Sequence, residues 1–327
     1  MLDMTPSEIA YCWNLLKLLR RALKREVDFP ALIELQTINR CNASCPMCPY
    51  PQTIGKQDFY YMSDDLYENI LRQLANESSF GVLILSFQNE PFLDKNLFAR
   101  ARRFKELMPG KELHIVTNGS MLHRESAPEV FRWFDTVSIS VNAASKRTYE
   151  LVMRDLSWEK TKANLDYIAS NKAWVDKTVL RFIRQEANAG ETSEFKRHWN
   201  ERGFRVFGFE TNSRLGTVPD YNRIKIHDTP TRSARKYLLR FLGKILIPAC
   251  PIPFLSFFIR ADGNVVLCFN DYSDKHHYGN VQKTPIRTIF NSPKYQQVRA
   301  NALNDTFPDE AICRACDLYY EGIYLTV

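Results

Sequence analysis

Between residues 31 and 215, short apolar runs alternate with longer stretches of helical period. Leu32–Thr37, Val82–Phe87, Leu113–Thr117, Thr136–Val141, Thr178–Ile183 and Val206–Glu210 have the length of strands. Asp64–Ala75, Lys95–Leu107, Ala127–Phe134, Trp158–Ser170 and Thr192–Arg202 lie between them and repeat their apolar positions at helical spacing. Strands and helices taking turns predict repeated βαβ units, an α/β fold with a parallel sheet and helices on one side. Every strand-to-helix turn then falls at one rim of the sheet, where such folds place their ligands.

The flanks read differently. Residues 6–27 predict an amphipathic helix, with Trp13, Leu16, Leu19 and Leu23 on one stripe and Arg20, Lys24 and Arg25 around it. Such a helix suits docking on the domain, or a membrane surface or partner. A basic linker and helix follows the core, with Arg232, Arg235, Lys236, Arg240 and Lys244. Beyond it, Phe257–Arg260 and Val265–Phe269 flank Asp262-Gly263, a hairpin signature. The expected domains are an N-terminal helix (1–30), a core (31–216), the basic linker (217–247) and a cysteine-rich extension (248–327).

Composition narrows the class. With 327 residues, 45% hydrophobic and 25% charged, the chain reads as globular. No secretory signal opens it, because its first apolar residues are interleaved with Lys17, Arg20 and Arg21. The apolar stretch Phe241–Ile259 holds Pro248, Pro251, Pro253 and Lys244, which argues against a membrane span. A cytoplasmic location is expected. The net charge of +7 suits anionic ligands but falls short of a nucleic-acid-binding signature.

Seven of the eight cysteines cluster in a way that calls for chemistry, and Cys12 stands apart. Cys41, Cys45 and Cys48 have the spacing C-x3-C-x2-C and directly follow the first strand. Three thiolates on one loop leave a metal site one ligand short, unlike closed structural zinc. An iron–sulfur cluster with one open corner suits them better. Cys250, Cys268, Cys313 and Cys316 make a second set of four, which by spacing alone fits structural zinc or a cluster equally.

The triplet resembles the signature of the radical SAM superfamily, and Glu90-Pro91 and Thr117-Asn118-Gly119 resemble its rim motifs. That resemblance implies a partial (β/α)6 barrel and a [4Fe–4S] cluster on Cys41, Cys45 and Cys48 whose open iron binds S-adenosylmethionine. It also implies that Glu90, with Asn89, Thr117 and Asn118, holds the methionyl end. Ser138, Ser140 and Asn142, alternating with apolar residues along one strand, would face the ribose or carboxylate. Arg181 and Arg184 are further carboxylate candidates, although a spacing of three sets them on opposite faces. Gln88 and Asn89 replace the usual glycines, and Met47 stands where the family generally has an aromatic residue.

The four later cysteines resemble the SPASM/twitch extension, and their number implies one auxiliary [4Fe–4S] cluster. The implied activity is reductive cleavage of S-adenosylmethionine to a 5′-deoxyadenosyl radical, then oxidation of a small polar substrate, a sugar or aminocyclitol alcohol. A flavodoxin- or ferredoxin-type donor would supply the electron. Peptide maturation is the enzymatic alternative, disfavoured by the roughly 30 residues before the first strand, and a zinc- or nucleic-acid-binding protein is the non-catalytic one.

Overall fold

The computed structural model describes residues 28–227, 250–273, 275–308 and 311–317. Six core strands stand where the apolar runs predict them. They are β1 (Leu32–Leu35), β2 (Val82–Ile84), β3 (Glu112–Thr117), β4 (Thr136–Ser140), β5 (Thr178–Arg184) and β6 (Arg205–Glu210). Sequential neighbours pair, all parallel. Parallel pairing demands a crossover after each strand. The crossovers contain α1 (Asp64–Ala75), α2 (Leu97–Leu107), α3 (Ala127–Trp133), α4 (Lys146–Val152), α5 (Trp158–Ala169), α6 (Lys172–Lys177) and α7 (Thr192–Asn200). The result is the expected partial (β/α)6 barrel. Helices α4 and α6 were not expected: they bury only Tyr149 and Val152, and Val175 alone, whereas the seven-residue α3 buries Ala127, Val130 and Phe131 at helical spacing. The helix expected over 6–27, with Cys12, and the basic helix beyond residue 227 lie outside the described residues.

Alternation along each strand sorts the side chains. On β1, Ile33 and Leu35 are fully buried, whereas Leu32 and Glu34 are half-buried. On β5, Phe182 packs on Phe195 of α7 with ring centroids 4.8 Å apart, so Arg181 takes the inner face. The helices seal the outer face. In α1, Leu66, Tyr67, Ile70, Leu71 and Leu74 form the buried stripe. Ser63 caps that helix by accepting the Leu66 N–H, and Asp64 and Asp65 complement its N-terminal dipole.

The C-terminal extension continues the same sheet. β7 (Ser256–Ile259) pairs parallel with β1 on the side away from β2, with Glu34 opposite Phe258. β8 (Asn264–Val266) returns antiparallel through the Asp262-Gly263 turn, and β9 (Gly279–Asn280) completes the order. Gly263 has φ +82°, the left-handed conformation that favours glycine. Two hydrogen bonds extend the β1–β7 junction: Ala31 N–H to Leu255 O and Gln36 N–H to Ile259 O, each 2.9 Å. The extension is thereby fixed to the start of the barrel. Among the described residues, no helix is long and apolar enough to cross a membrane.

One turn on the rim is sensitive to a single methyl group. Gly119, after β3, has φ +74°, and a Cβ there would lie 2.7 Å from Ile139 Cγ2. Gly119→Ala should cost roughly 2–4 kcal/mol in strain and overpacking. At Gly110 nothing lies within 4 Å of the added carbon, so Gly110→Ala should be neutral or slightly stabilising. Urea unfolding of the two variants checks this, and equal midpoints would refute it.

Candidate functional site

The loop after β1 carries Cys41, Cys45 and Cys48, and it is held in place by other parts of the chain. The Cys41 N–H donates to the Tyr50 hydroxyl at 2.9 Å, and the Cys48 N–H to Cys45 O at 2.9 Å. Asn118 Nδ2 donates to Asn42 Oδ1 at 2.7 Å, and the Ser44 N–H to Arg154 O at 3.2 Å. The three thiols share one neighbourhood. Burial, and then the charges of Cys48 and Cys41, push the Cys45 thiol well above its usual range. Burial and the Glu90 carboxylate push Cys41 up to about 12. Alone, these groups stay protonated; a bound cationic centre would make them thiolates. Three convergent sulfurs fit an iron–sulfur cluster with an open corner.

The rim beside the triplet is built on Glu90, which is 1% exposed. Its Oε1 accepts from Thr117 Oγ1 at 2.7 Å and its Oε2 from the Asn118 N–H at 2.8 Å. Its own N–H donates to Arg40 O at 2.8 Å, which ties the turn after β2 to the cysteine loop. Burial lifts the Glu90 carboxyl to about 7 against those hydrogen bonds. Asn89 Oδ1 accepts the Phe87 N–H at 2.7 Å, but its buried Nδ2 has no partner among the described residues. That unpaired donor on a ligand-binding rim fits a group still to be bound.

The fourth and fifth strands divide the remaining expected residues. Ser138 is buried and Ser140 half-buried, and Ser140 pairs in register with Arg181. Asn142 has φ 61°. Its Oδ1 accepts the Ile183 N–H at 2.7 Å and its Nδ2 lies 3.0 Å from Met153 Sδ, which in turn lies 3.8 Å from Cys45 Sγ. Asn142 therefore positions the wall behind the triplet. Arg184 pairs with Glu210 at 2.7 Å and donates to Thr192 Oγ1 at 3.2 Å, away from Arg181. The structure brings Arg181, and not Arg184, to the inner face.

The second site lies in the extension. Cys250, Cys268, Cys313 and Cys316 line one apolar cavity together with Leu215, Phe269 and Phe307. Burial dominates again: it pushes Cys268 well up, with Cys316, Cys250 and Cys313 adding to it, and pushes Cys313 up as well. Asn270 N–H points at Cys268 Sγ from 3.4 Å. Four thiols in an apolar pocket fit a fully cysteine-ligated cluster.

Sequence reading missed the contacts that join the two sites. Gln88, with φ 57°, donates from Nε2 to Phe269 O at 3.2 Å and to Asp271 O at 2.9 Å. Arg260 Nη2 donates to Asp271 O at 3.0 Å. These bonds hold residues 268–272 against the rim and set Tyr272 Oη 3.7 Å from Cys48 Sγ. Burial, then the Cys48 charge, raises the Tyr272 hydroxyl well above its usual range. Glu34 was missed too, although a lone acid in an apolar strand was a readable signal.

Comparisons with known proteins agree with this geometry. Residues 35–183 match the Radical SAM superfamily model, and residues 250–317 match the SPASM iron–sulfur cluster-binding domain. The S-adenosyl-L-methionine-dependent 2-deoxy-scyllo-inosamine dehydrogenase of Niallia circulans is 19% identical over 293 residues, 88% of this chain and 92% of that protein. BtrN in complex with AdoMet and 2-DOIA is similar with TM-score 0.53 and 18% identity, over 83% of this chain and 86% of that one. Native anSMEcpe with bound AdoMet gives TM-score 0.66 at 17% identity, over 89% and 88%. Streptococcus suis SuiB bound to precursor peptide SuiA gives TM-score 0.67 at 13% identity, over 99% and 76%. With its three-cysteine loop in the first matched region and its four-cysteine cavity in the second, the chain carries a Radical SAM superfamily domain over residues 35–183 and a SPASM-type iron–sulfur cluster-binding domain over residues 250–317.

Proposed function

We propose that this radical SAM enzyme oxidises an alcohol of a small polar substrate, a sugar or aminocyclitol, to a ketone. The observation that carries the reading is the segment 268–272, which begins at a cysteine of the second site and ends with Tyr272 against Cys48 of the first. When bound, the two clusters supply the redox chemistry: one electron to cleave S-adenosylmethionine at the first site and an acceptor for the substrate's second electron at the second. The named dehydrogenase relative acts on an inosamine, which agrees with this class.

The chain's own residues bind and orient. Cys41, Cys45 and Cys48 hold the cluster with the open corner. Glu90, fixed by Thr117 and Asn118, accepts from the methionyl ammonium, and the orphaned Asn89 Nδ2 donates beside it. Ser138 and Ser140 offer hydroxyls on the inner face. Cys250, Cys268, Cys313 and Cys316 hold the second cluster in a pocket walled by Leu215 and Phe269. A flavodoxin- or ferredoxin-type protein is the electron donor in this reading. A peptide substrate is the second reading, favoured by the higher TM-score of SuiB bound to its precursor peptide.

Glu90→Ala should weaken S-adenosylmethionine binding by roughly 1.5–3 kcal/mol, read by titrating the cluster's absorption. Because the buried carboxyl sits near 7 and a bound ammonium favours its ionised form, affinity in the unmutated protein should rise from about pH 6 to about pH 8. Glu90→Gln should flatten that rise. Unchanged affinity in the alanine variant would remove Glu90 from the site.

A Cys313→Ala/Cys316→Ala variant that keeps its fold and its first-site iron should still cleave S-adenosylmethionine with dithionite. It should form little oxidised product from a panel of sugar and aminocyclitol alcohols. Normal product yield would reduce the second site to a structural staple. Turnover of peptides and not of sugars would favour the second reading.

A further inference from the structure

Three charged side chains on the inner face lie outside the cluster and rim contacts. Glu34 comes from β1, Arg181 from β5 and Arg214 from the turn after β6, and each lies within the field of the others. Arg181 meets the Phe209 ring at 5.7 Å, and among the described residues no group hydrogen-bonds its guanidinium or the Glu34 carboxylate. Half-buried charges left without hydrogen bonds are costly. Burial shows the same cost by lifting Glu34 to about 7 and lowering Arg181.

Arg214 is set there by a strained turn. Arg214, Leu215 and Gly216 have φ 49°, 59° and 77°, three successive left-handed residues. The two that are not glycine hold a backbone conformation that side chains with a Cβ disfavour. The Arg214 N–H donates to Asn212 Oδ1 at 3.0 Å, and the Arg214 carbonyl accepts from the Thr217 N–H at 3.2 Å. Its guanidinium donates to Asn270 Oδ1 and lies 5.7 Å from the Phe269 ring. Leu215, next in sequence, lines the four-cysteine cavity. Strain held this firmly marks functional sites, and here it sets a cation between the inner face and the second site.

We propose that Arg181, Arg214 and Glu34 anchor the substrate, and that it is a hydroxylated small molecule bearing an oxyanion, a carboxylate or a phosphate. The guanidiniums take the oxyanion and Glu34 accepts from a neighbouring hydroxyl. Two cations against one acid leave the pocket net positive, so an amine in the same place meets repulsion. This rests on the reading that the enzyme oxidises a small polar substrate.

The test is calorimetric binding to the cluster-reconstituted protein saturated with S-adenosylmethionine. The probes are D-glucuronate, glucose 6-phosphate, glucose and glucosamine. One acidic sugar should bind at least about tenfold tighter than glucose and glucosamine, and which one does so identifies the oxyanion. Arg214→Asn, chosen because asparagine tolerates left-handed backbone, and Arg181→Gln should each remove about tenfold of that preference. Glu34→Gln should keep or strengthen it. No saturable binding of either acid overturns the proposal, as does a preference for glucosamine or an unchanged Arg214→Asn. Binding of the acid to protein without S-adenosylmethionine but not to the saturated protein also overturns it, since the arginines would then hold that molecule's own carboxylate. Cleavage of S-adenosylmethionine is assayed on the same preparation. Its absence would strike the proposed reaction while leaving the binding result readable.

Discussion

The grip of Gln88 and Arg260 on the main-chain carbonyls of residues 269–271 is the constraint on which the two-site architecture depends. Without it, the β1–β7 pairing would still attach the extension to the barrel, but the main chain of its first cysteine loop would lose its hydrogen bonds to Gln88 and Arg260, leaving the Arg214–Asn270 bond and the packing of Tyr272 on Tyr50 and Ile54 to hold it at the rim. With it, one short segment runs from Cys268 to Tyr272 at Cys48. The Gln88 amide is well suited to this, because one NH2 group can serve two carbonyls at once. Its left-handed backbone aims the side chain across the rim, away from the course a β-strand would take.

A second layer of hydrogen bonds makes the rim a single unit. Glu90 joins the ends of β2 and β3 through Thr117 and Asn118, and Asn118 joins both to the cysteine loop through Asn42. Asn142 does the same for β4 and β5, and its contact with Met153 carries that order to Cys45. The thiols themselves contribute little until they are ligated. Burial raises Cys41, Cys45, Cys268 and Cys313, so deprotonation in the empty protein is unfavourable and ligation brings proton release with it. The cysteine loop after β1 is also held by hydrogen bonds that do not pass through its thiols, to Tyr50 and from Asn118.

The sequence carried much of this in plain view. All six core strands could be read because each is an apolar run between polar breaks, and the two cysteine sets because their spacing has few other uses. Helices α4 and α6 escaped because they bury too few apolar positions for a period to show. Rim residues Gln88 and Asn89 read as departures from the family pattern, whereas Gln88 proves to hold the extension through contacts more than 180 residues away. No local pattern encodes such a contact. Arg214 was hidden for the same reason, since its importance comes from a left-handed turn and from Asn270, 56 residues on. Glu34 differs: an acid inside an apolar strand is visible locally, and only its partners needed three dimensions.

The central claim is that two separate iron–sulfur clusters occupy the two cysteine sites and that one alone has an open corner. Electron paramagnetic resonance of the anaerobically reconstituted, dithionite-reduced protein tests it most directly, alongside iron and zinc analysis. The account predicts about eight irons per chain and two overlapping cluster signals, with S-adenosylmethionine shifting one and leaving the other untouched. Zinc in place of the second cluster, or a single signal, would contradict it.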